Sequence, residues 1–259
     1  MATGLYELYV KFHALGEKRR WNLEKDVAWD EIDAGKANRD LVELIKIASL
    51  VESFSYQNCA RFFQAHKDLP WLVGWKVMNC YEENKHHYSL LRYARAIGAT
   101  ITDAEISAIQ RGYQESEDLK DSQWAGADLL EELILAWISE VETSVWYRLA
   151  ADRIGETVGN KLFMLISQDE SFHAAYYNEV VERLILEDPA RRFDQVHQVV
   201  RQYQEDQAAG KDEHYGVVIG RETFSKVRDK MVEYGAAEQI KTAVTSKLKV
   251  WSGLVPAKA

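Results

Sequence analysis

The chain has 259 residues and a formal net charge of −9, and no Ser/Gly-rich run divides it. The acidic balance argues against nucleic acid as a partner, because nucleic-acid binding needs a basic face. No stretch approaches the roughly eighteen uncharged apolar residues of a membrane span, and the first twenty residues lack the apolar segment of a secretion signal. We therefore expect one domain over residues 1–259, located in the cytoplasm.

Apolar residues recur at helical spacing along most of the chain, without the alternation of strands and helices that marks a nucleotide-binding fold. This pattern predicts an all-α protein. Long core helices are expected at about 38–67, 71–97, 128–153 and 158–187. Shorter accessory helices are expected at about 4–20, 102–116, 190–208, 221–233 and 236–250.

Two short motifs repeat the same pairing of a carboxylate with an imidazole. Glu83 and His86 are three residues apart, and so are Glu170 and His173. Side chains at this spacing project from one face of a helix, so each pair converges on a point beside it. Two such pairs, with one glutamate from each of two further helices, form the ligand set of ferritin-like di-iron bundles. Carboxylate and imidazole ligands suit iron or manganese, whereas structural zinc sites normally use thiolates.

The two further glutamates are expected on the first and third core helices. Glu52 and Glu142 each interrupt an otherwise apolar or small stripe at helical spacing. A carboxylate that faces a core costs several kcal/mol unless it is paired or bound to a metal. Glu140 lies on a more polar stripe of the same helix as Glu142 and is the alternative ligand. The alternative to a shared metal site is four separately paired glutamates, with both histidines hydrogen-bonded to backbone or water.

The motif segments resemble those of a known family, the soluble acyl-carrier-protein desaturases. The segment from Glu82 to His86 is similar to the EENRH segment of that family, and the segment from Asp169 to Tyr177 resembles its DEKRHxxxY segment. Weaker similarities follow Glu52, precede Pro189 and surround Trp251. The resemblance covers most of residues 21–254 and is weakest between residues 99 and 130.

The resemblance implies a ferritin-like four-helix bundle with additional N- and C-terminal helices, which holds two iron ions and uses dioxygen. Asp169 would orient His86, and Trp21, a better match by position than Trp29, would lie on the path of electrons to that histidine. The implied assembly is a homodimer. Because the sequence contains no flavin or nicotinamide fingerprint, we expect the electron donor to be a separate, ferredoxin-type protein. The catalytic and metal-binding residues would be Glu52, Glu83, His86, Glu142, Glu170 and His173.

Two features bear on how closely the chain follows the family. The desaturases carry a threonine three residues after the third-helix glutamate, whereas Val145 stands at that position if the glutamate is Glu142. Acyl carrier proteins are acidic, so a carrier-bound substrate would need a local basic patch. The most concentrated candidate is Lys18-Arg19-Arg20.

Three functions are compatible with these residues. The first is an oxygen-dependent di-iron oxidase that takes hydrogen from an unactivated C–H bond of an acyl chain, which an acyl carrier protein would present. The second is a di-iron hydroxylase or N-oxygenase of a small or carrier-bound metabolite. The third is a ferritin-like metal-binding protein without an organic substrate. A long apolar cavity beside the metals would favour the first over the second.

Overall fold

The computed structural model describes residues 4–115, 128–208 and 221–254. Within these ranges the chain is helical and contains no strand, so the expected all-α class is confirmed. Short 3-10 turns lie at Trp29–Glu31 and Arg39–Leu41. The α-helices are α1 Leu5–Arg19, α2 Val42–Glu52, α3 Ser55–His66, α4 Pro70–Ala96, α5 Asp103–Glu115, α6 Leu129–Arg153, α7 Thr157–Glu187, α8 Pro189–Ala208, α9 Arg221–Glu233 and α10 Ala236–Ser252. Residue 116, the expected end of the fifth helix, lies outside the described ranges.

Two helical hairpins form the bundle. Helices α2 and α3 pack along α4, and α6 packs along α7 over most of its length. Short connections at 67–69 and 154–156 make the members of each hairpin antiparallel. Helix α1 packs on α4 and α7, while α8 and α10 pack on α6. Both broad faces of α6 are therefore covered, one by the bundle and one by the C-terminal helices.

The first core helix is not continuous, in contrast to the helix expected at 38–67. It breaks between α2 and α3, directly after Glu52. The Ser53 hydroxyl donates to the Leu50 carbonyl at 2.6 Å, and the backbone N–H of Ser53 bonds to the same carbonyl. Such local bonds from serine compete with the helical ladder and bend it. The Ser53 carbonyl instead accepts from Gln110 at 3.0 Å.

The start of α7 is fixed by a buried capping residue. The Glu156 carboxylate accepts from the backbone N–H groups of Val158 and Gly159, and it also accepts from the Tyr93 hydroxyl of α4 at 3.0 Å. Gly159 lies against that tyrosine, so that a Cβ atom placed there would be 2.1 Å from the Tyr93 hydroxyl oxygen. The close approach of α4 and α7 at this end of the bundle therefore depends on a glycine.

We expect Gly159→Ala to destabilise the protein by about 1–3 kcal/mol, because the added methyl group overpacks the contact and displaces Tyr93 from Glu156. Gly112→Ala is the matched control, since Gly112 lies within α5 and a Cβ there would meet nothing within 4 Å. That control should be neutral or more stable by up to about 1 kcal/mol. Urea unfolding followed by circular dichroism measures both. Equal stability of the two variants would contradict the packing described for this end of the bundle.

No helix of the described ranges combines the length and apolar character that crossing a bilayer requires.

Candidate metal centre

Four helices bring a cluster of acidic and imidazole side chains together inside the bundle. One group consists of Glu52, Glu83, His86 and Glu170, and the other consists of Glu83, Glu140, Glu170 and His173. Within each group the potential ligand atoms all lie within 4.8 Å of one another. Because Glu83 and Glu170 belong to both groups, the arrangement provides two adjacent positions that share two carboxylates.

Both histidines turn the same ring nitrogen towards this cluster. His86 Nδ1 lies 3.4 Å from Glu83 and 3.3 Å from Glu170. His173 Nδ1 lies 3.2 Å from Glu83 and 3.3 Å from Glu140. The Nε2 atoms point outwards, and each meets a further buried carboxylate. This division of the ring, with one nitrogen for the cluster and the other for an acidic partner, is typical of metal-bound histidine.

The residues present fit a pair of divalent cations. His86 Nδ1 and Glu170 Oε1 are buried, and neither atom has a hydrogen-bond partner among the described residues. Buried polar atoms are rarely left unpaired, and these two atoms, 3.3 Å apart, are suited to bind one cation together. Four carboxylates and two neutral imidazoles carry a charge that balances two divalent ions. The donor set, with oxygen and imidazole nitrogen and no thiolate, suits iron or manganese.

The charges of the cluster also favour a cation. Burial, together with the charges of Glu83 and Glu170, raises the pKa of Glu52 well above its usual value. Burial likewise raises the pKa of Glu140. Burial alone would lower the pKa of His86, but its contacts with Asp169 and Glu170 raise that pKa well above its usual value. Without metal the cluster therefore retains protons that bound cations would displace.

The structure places Glu140, not Glu142, in the cluster, which corrects the expected phase of α6. Glu142 points to the other face of the helix, where the Tyr203 hydroxyl of α8 donates to its carboxylate. The more apolar stripe was misleading because α8, α9 and α10 cover that face of α6 and bury it as well. The spacing of Glu140 from Glu170 is also closer to that of Glu52 from Glu83. The repeated spacing was the signal that favoured Glu140.

This correction also changes the residue expected near bound oxygen. Three positions after Glu140 stands Thr143, so the departure noted at Val145 arose from the wrong helix phase. The Thr143 hydroxyl donates to the carbonyl of Ser139 at 3.0 Å, and its side chain lines the cavity described below. The chain therefore carries the threonine that the resemblance implies at this position.

Asp169 joins His86 to a group of side chains nearer the surface. Its Oδ2 atom lies 3.1 Å from His86 Nε2 and accepts from the Trp21 indole at 2.7 Å. Lys85 Nζ contacts the same oxygen at 3.1 Å, and Arg19 pairs with Oδ1 at 2.9 Å. The contacts expected for Trp21, Asp169 and His86 are thus present. Trp29 lies elsewhere, with its indole donating to the Leu23 carbonyl.

Glu82 is a further residue of the site that the motif spacing did not indicate, because it lies about 100° from Glu83 around α4. It is fully buried, and its carboxylate lies 2.7 Å from His173 Nε2. It therefore orients His173 as Asp169 orients His86. Both motifs carry an acidic residue directly before the ligand glutamate. Comparison of the two motifs with each other would have identified Glu82.

The basic segment at the end of α1 is not a free patch. Arg19 pairs with Asp169, and Arg20 lies 3.7 Å from the buried carboxylate of Glu82. Each guanidinium thus neutralises one of the two carboxylates behind the histidines. The sequence predicts Lys18-Arg19-Arg20 as a basic patch for a carrier protein. The structure corrects this prediction for Arg19 and Arg20, because their charges are paired with buried acids, which need a nearby cation.

A cavity of about 210 Å³ adjoins the cluster. Its walls come mainly from α2, α6, α9 and α10, with Leu90 of α4 and Phe163 of α7, and most lining side chains are apolar. Glu52 lies both in the metal cluster and in the cavity wall, and Tyr147, whose hydroxyl donates to Glu52, lines the cavity beside it. The lining positions on α2 run from Leu44 to Glu52, a rise of about 12 Å at 1.5 Å per residue. The cavity is therefore long, apolar and in contact with the cluster.

The fold and the cluster define a ferritin-like protein with a dinuclear carboxylate–histidine centre. A family model described as fatty acid desaturase matches residues 55–251, well over half of the chain. The chain belongs to this family of oxidoreductases and is an enzyme. Among curated proteins, no sequence matches the chain.

Solved structures show the same fold at low sequence identity. The R2-like ligand-binding oxidase from Sulfolobus acidocaldarius is 16% identical, with a TM-score of 0.61, and the match covers 97% of this chain and 92% of that one. A single-residue variant of an R2-like ligand-binding oxidase with an aerobically reconstituted Mn/Fe cofactor is 13% identical, with a TM-score of 0.58 and coverages of 98% and 94%. Another variant, with a non-activated Mn/Mn cofactor, is 15% identical, with a TM-score of 0.56 and coverages of 97% and 93%.

Proposed function

We propose that the protein is an oxygen-dependent oxidase with a dinuclear metal centre that removes hydrogen from an unactivated C–H bond of an acyl chain. The position of Glu52, which lies in both the metal cluster and the wall of the apolar cavity, carries this proposal. A chain in that cavity would reach the cluster without a polar barrier. Family membership supports oxidative chemistry on a fatty substrate.

The proposed ligands of the two ions are Glu52, Glu83, His86, Glu140, Glu170 and His173. When bound, two redox-active ions supply the electrons and the dioxygen chemistry that the side chains lack. Asp169 and Glu82 hold the Nε2 protons of the two histidines, so that Nδ1 remains free to act as a donor to the centre. Iron, manganese or a mixed pair would satisfy the same donors.

The cavity walls would orient the substrate chain and keep water away from it. Side chains such as Ile45, Leu90 and Phe163 exclude water from the space next to Glu52. Thr143 adds a hydroxyl to the same wall. An apolar chain is therefore the substrate that the walls select, and this observation favours the acyl-chain oxidase over a hydroxylase or N-oxygenase of a small polar metabolite. A cavity that reaches the cluster also distinguishes the site from one that only stores metal.

The remaining parts of the proposal concern partners. We retain a ferredoxin-type protein as the electron donor, because the sequence contains no flavin or nicotinamide fingerprint. We also retain a homodimer and a cytoplasmic location. Light scattering at micromolar protein concentration tests the dimer.

A single-turnover experiment tests the proposed reaction. Chemically reduced, iron-loaded protein is mixed with oxygen and decanoic acid, and the recovered acid is analysed by mass spectrometry. We expect oxidised acid from the wild type and at least about tenfold less from Ala48→Phe, because the phenyl ring fills the cavity one turn before Glu52. Ala60→Phe, at an exposed position of α3 outside the cavity wall, should behave as wild type. Iron content should be unchanged in both variants.

Unmodified acid with every variant, together with unmodified N-acetylcysteamine thioester of decanoic acid in the same assay, would contradict oxidation of an acyl chain at this site if iron loading is full and oxygen is consumed. Equal yields from Ala48→Phe and wild type would show that the substrate does not occupy this cavity.

A further inference from the structure

The apolar cavity contains one feature that an alkyl chain does not explain. Among the described residues, Arg228 is the only lysine or arginine that lines it. Its neighbours on α9, Val227, Met231 and Val232, line the same wall and are apolar. Arg228 thus places a partly exposed guanidinium beside an apolar wall, where it can pair with an anion.

The contacts of Arg228 with other described residues are weak. Its Nη2 atom lies 3.5 Å from the Ser225 hydroxyl, and its Nε atom lies 3.8 Å from the carboxylate of Asp229. Asp229 is itself largely exposed, with 70% of its side-chain surface accessible to solvent. Arg228 is about one-third exposed, so it is accessible to a ligand that enters from outside.

The other charged groups that the described residues contribute to the cavity wall are acidic. Glu52 belongs to the metal cluster, and Glu142 accepts from the Tyr203 hydroxyl. An anionic head group would be repelled by both of these carboxylates and attracted by Arg228. The distribution of charge therefore gives an amphipathic anion one favoured orientation, with its charge at Arg228 and its apolar chain in the cavity.

We infer that Arg228 binds the carboxylate of a free, medium-chain carboxylic acid, so that the substrate is the acid itself and not a carrier-bound thioester. The oxidation of this acid rests on the proposed function, whereas its binding at Arg228 does not. The planar guanidinium binds a carboxylate through two parallel hydrogen bonds, whereas a thioester carbonyl offers a single neutral acceptor. The lining positions on α2 span about 12 Å, which an extended chain of about ten carbons matches.

Equilibrium binding to the full chain tests the inference without turnover. Isothermal titration compares decanoate, decanol and the N-acetylcysteamine thioester of decanoic acid, under anaerobic conditions, with iron-loaded protein and again after chelation. We expect the wild type to bind decanoate about tenfold or more tightly than either neutral ligand. Arg228→Gln should abolish this preference and leave the affinity for decanol unchanged.

Lys226→Gln is the matched control, because it removes the same charge from an exposed position of α9 that does not line the cavity. It should retain the full preference for decanoate. Equal binding of the three ligands to the wild type, or a preference that survives in Arg228→Gln, would overturn the inference. If Arg228→Gln still prefers decanoate and loses this preference only when the iron is removed by chelation, the carboxylate binds the metals and not Arg228. Oxidation of the thioester but not of the bound acid would also overturn the inference, whereas failure to oxidise either ligand would count against the proposed function alone.

Discussion

Replacing either of the two shared glutamates should remove nearly all bound metal. The wild type is expected to hold about two ions per chain, and Glu83→Ala and Glu170→Ala about none, because each of these carboxylates serves both positions. Glu52→Ala and Glu140→Ala should each retain about one ion, since each of these residues belongs to one group only. Metal analysis after reconstitution with iron and removal of unbound ions measures the stoichiometry.

Glu142→Ala is the matched control for Glu140→Ala, because both residues lie on α6 and only Glu140 lies in the cluster. It should retain about two ions per chain. Loss of metal from Glu142→Ala with full retention by Glu140→Ala would show that the helix phase of the structure is incorrect.

The second large effect concerns the supply of electrons. Turnover driven by a ferredoxin and its reductase should fall about tenfold or more in Trp21→Phe and Asp169→Asn, because both changes interrupt the hydrogen-bonded contacts that lead to His86. The oxygen reaction of chemically reduced protein should change much less, since those electrons are already in place. Stopped-flow absorption measures the single turnover, and product formation measures the driven reaction.

Two controls accompany these variants. Trp29→Phe should behave as wild type, because the Trp29 indole bonds to the Leu23 carbonyl and has no contact with Asp169 among the described residues. Asp169→Asn also removes the partner of Arg19 and Lys85, and breaking a buried ion pair costs about 3–5 kcal/mol. Its iron content and unfolding transition are therefore measured in parallel. If Trp21→Phe and Asp169→Asn both sustain wild-type driven turnover, electrons enter by another route.

Most of the metal centre can be predicted from the sequence, because two metal ligands on one face of a helix must lie at a fixed spacing. A glutamate and a histidine on one helical face are recognisable from their spacing alone, and this holds for Glu83 with His86 and for Glu170 with His173. The phase of α6 was harder, because both of its faces are buried and apolar periodicity then no longer distinguishes them. The interrupted stripe at Glu142 belongs to the face that the C-terminal helices cover.

Other features depended on contacts between distant segments. The break after Glu52 arises from a serine hydroxyl that bonds within its own turn and from Gln110 of α5, and the helical spacing continues across it. Arg19 and Arg20 form a basic run in the sequence, whereas the structure directs both towards buried acids. The cavity and the position of Arg228 follow from the packing of α9 and α10, which no local pattern specifies.

Anomalous diffraction from crystals of the iron-loaded protein locates the metal ions directly. We expect two anomalous peaks about 4 Å apart, one in contact with Glu52 and His86 and the other in contact with Glu140 and His173. Glu83 and Glu170 should lie beside both peaks. A single peak in the bundle, or metal bound only at residues outside this cluster, would contradict the assignment of a dinuclear centre.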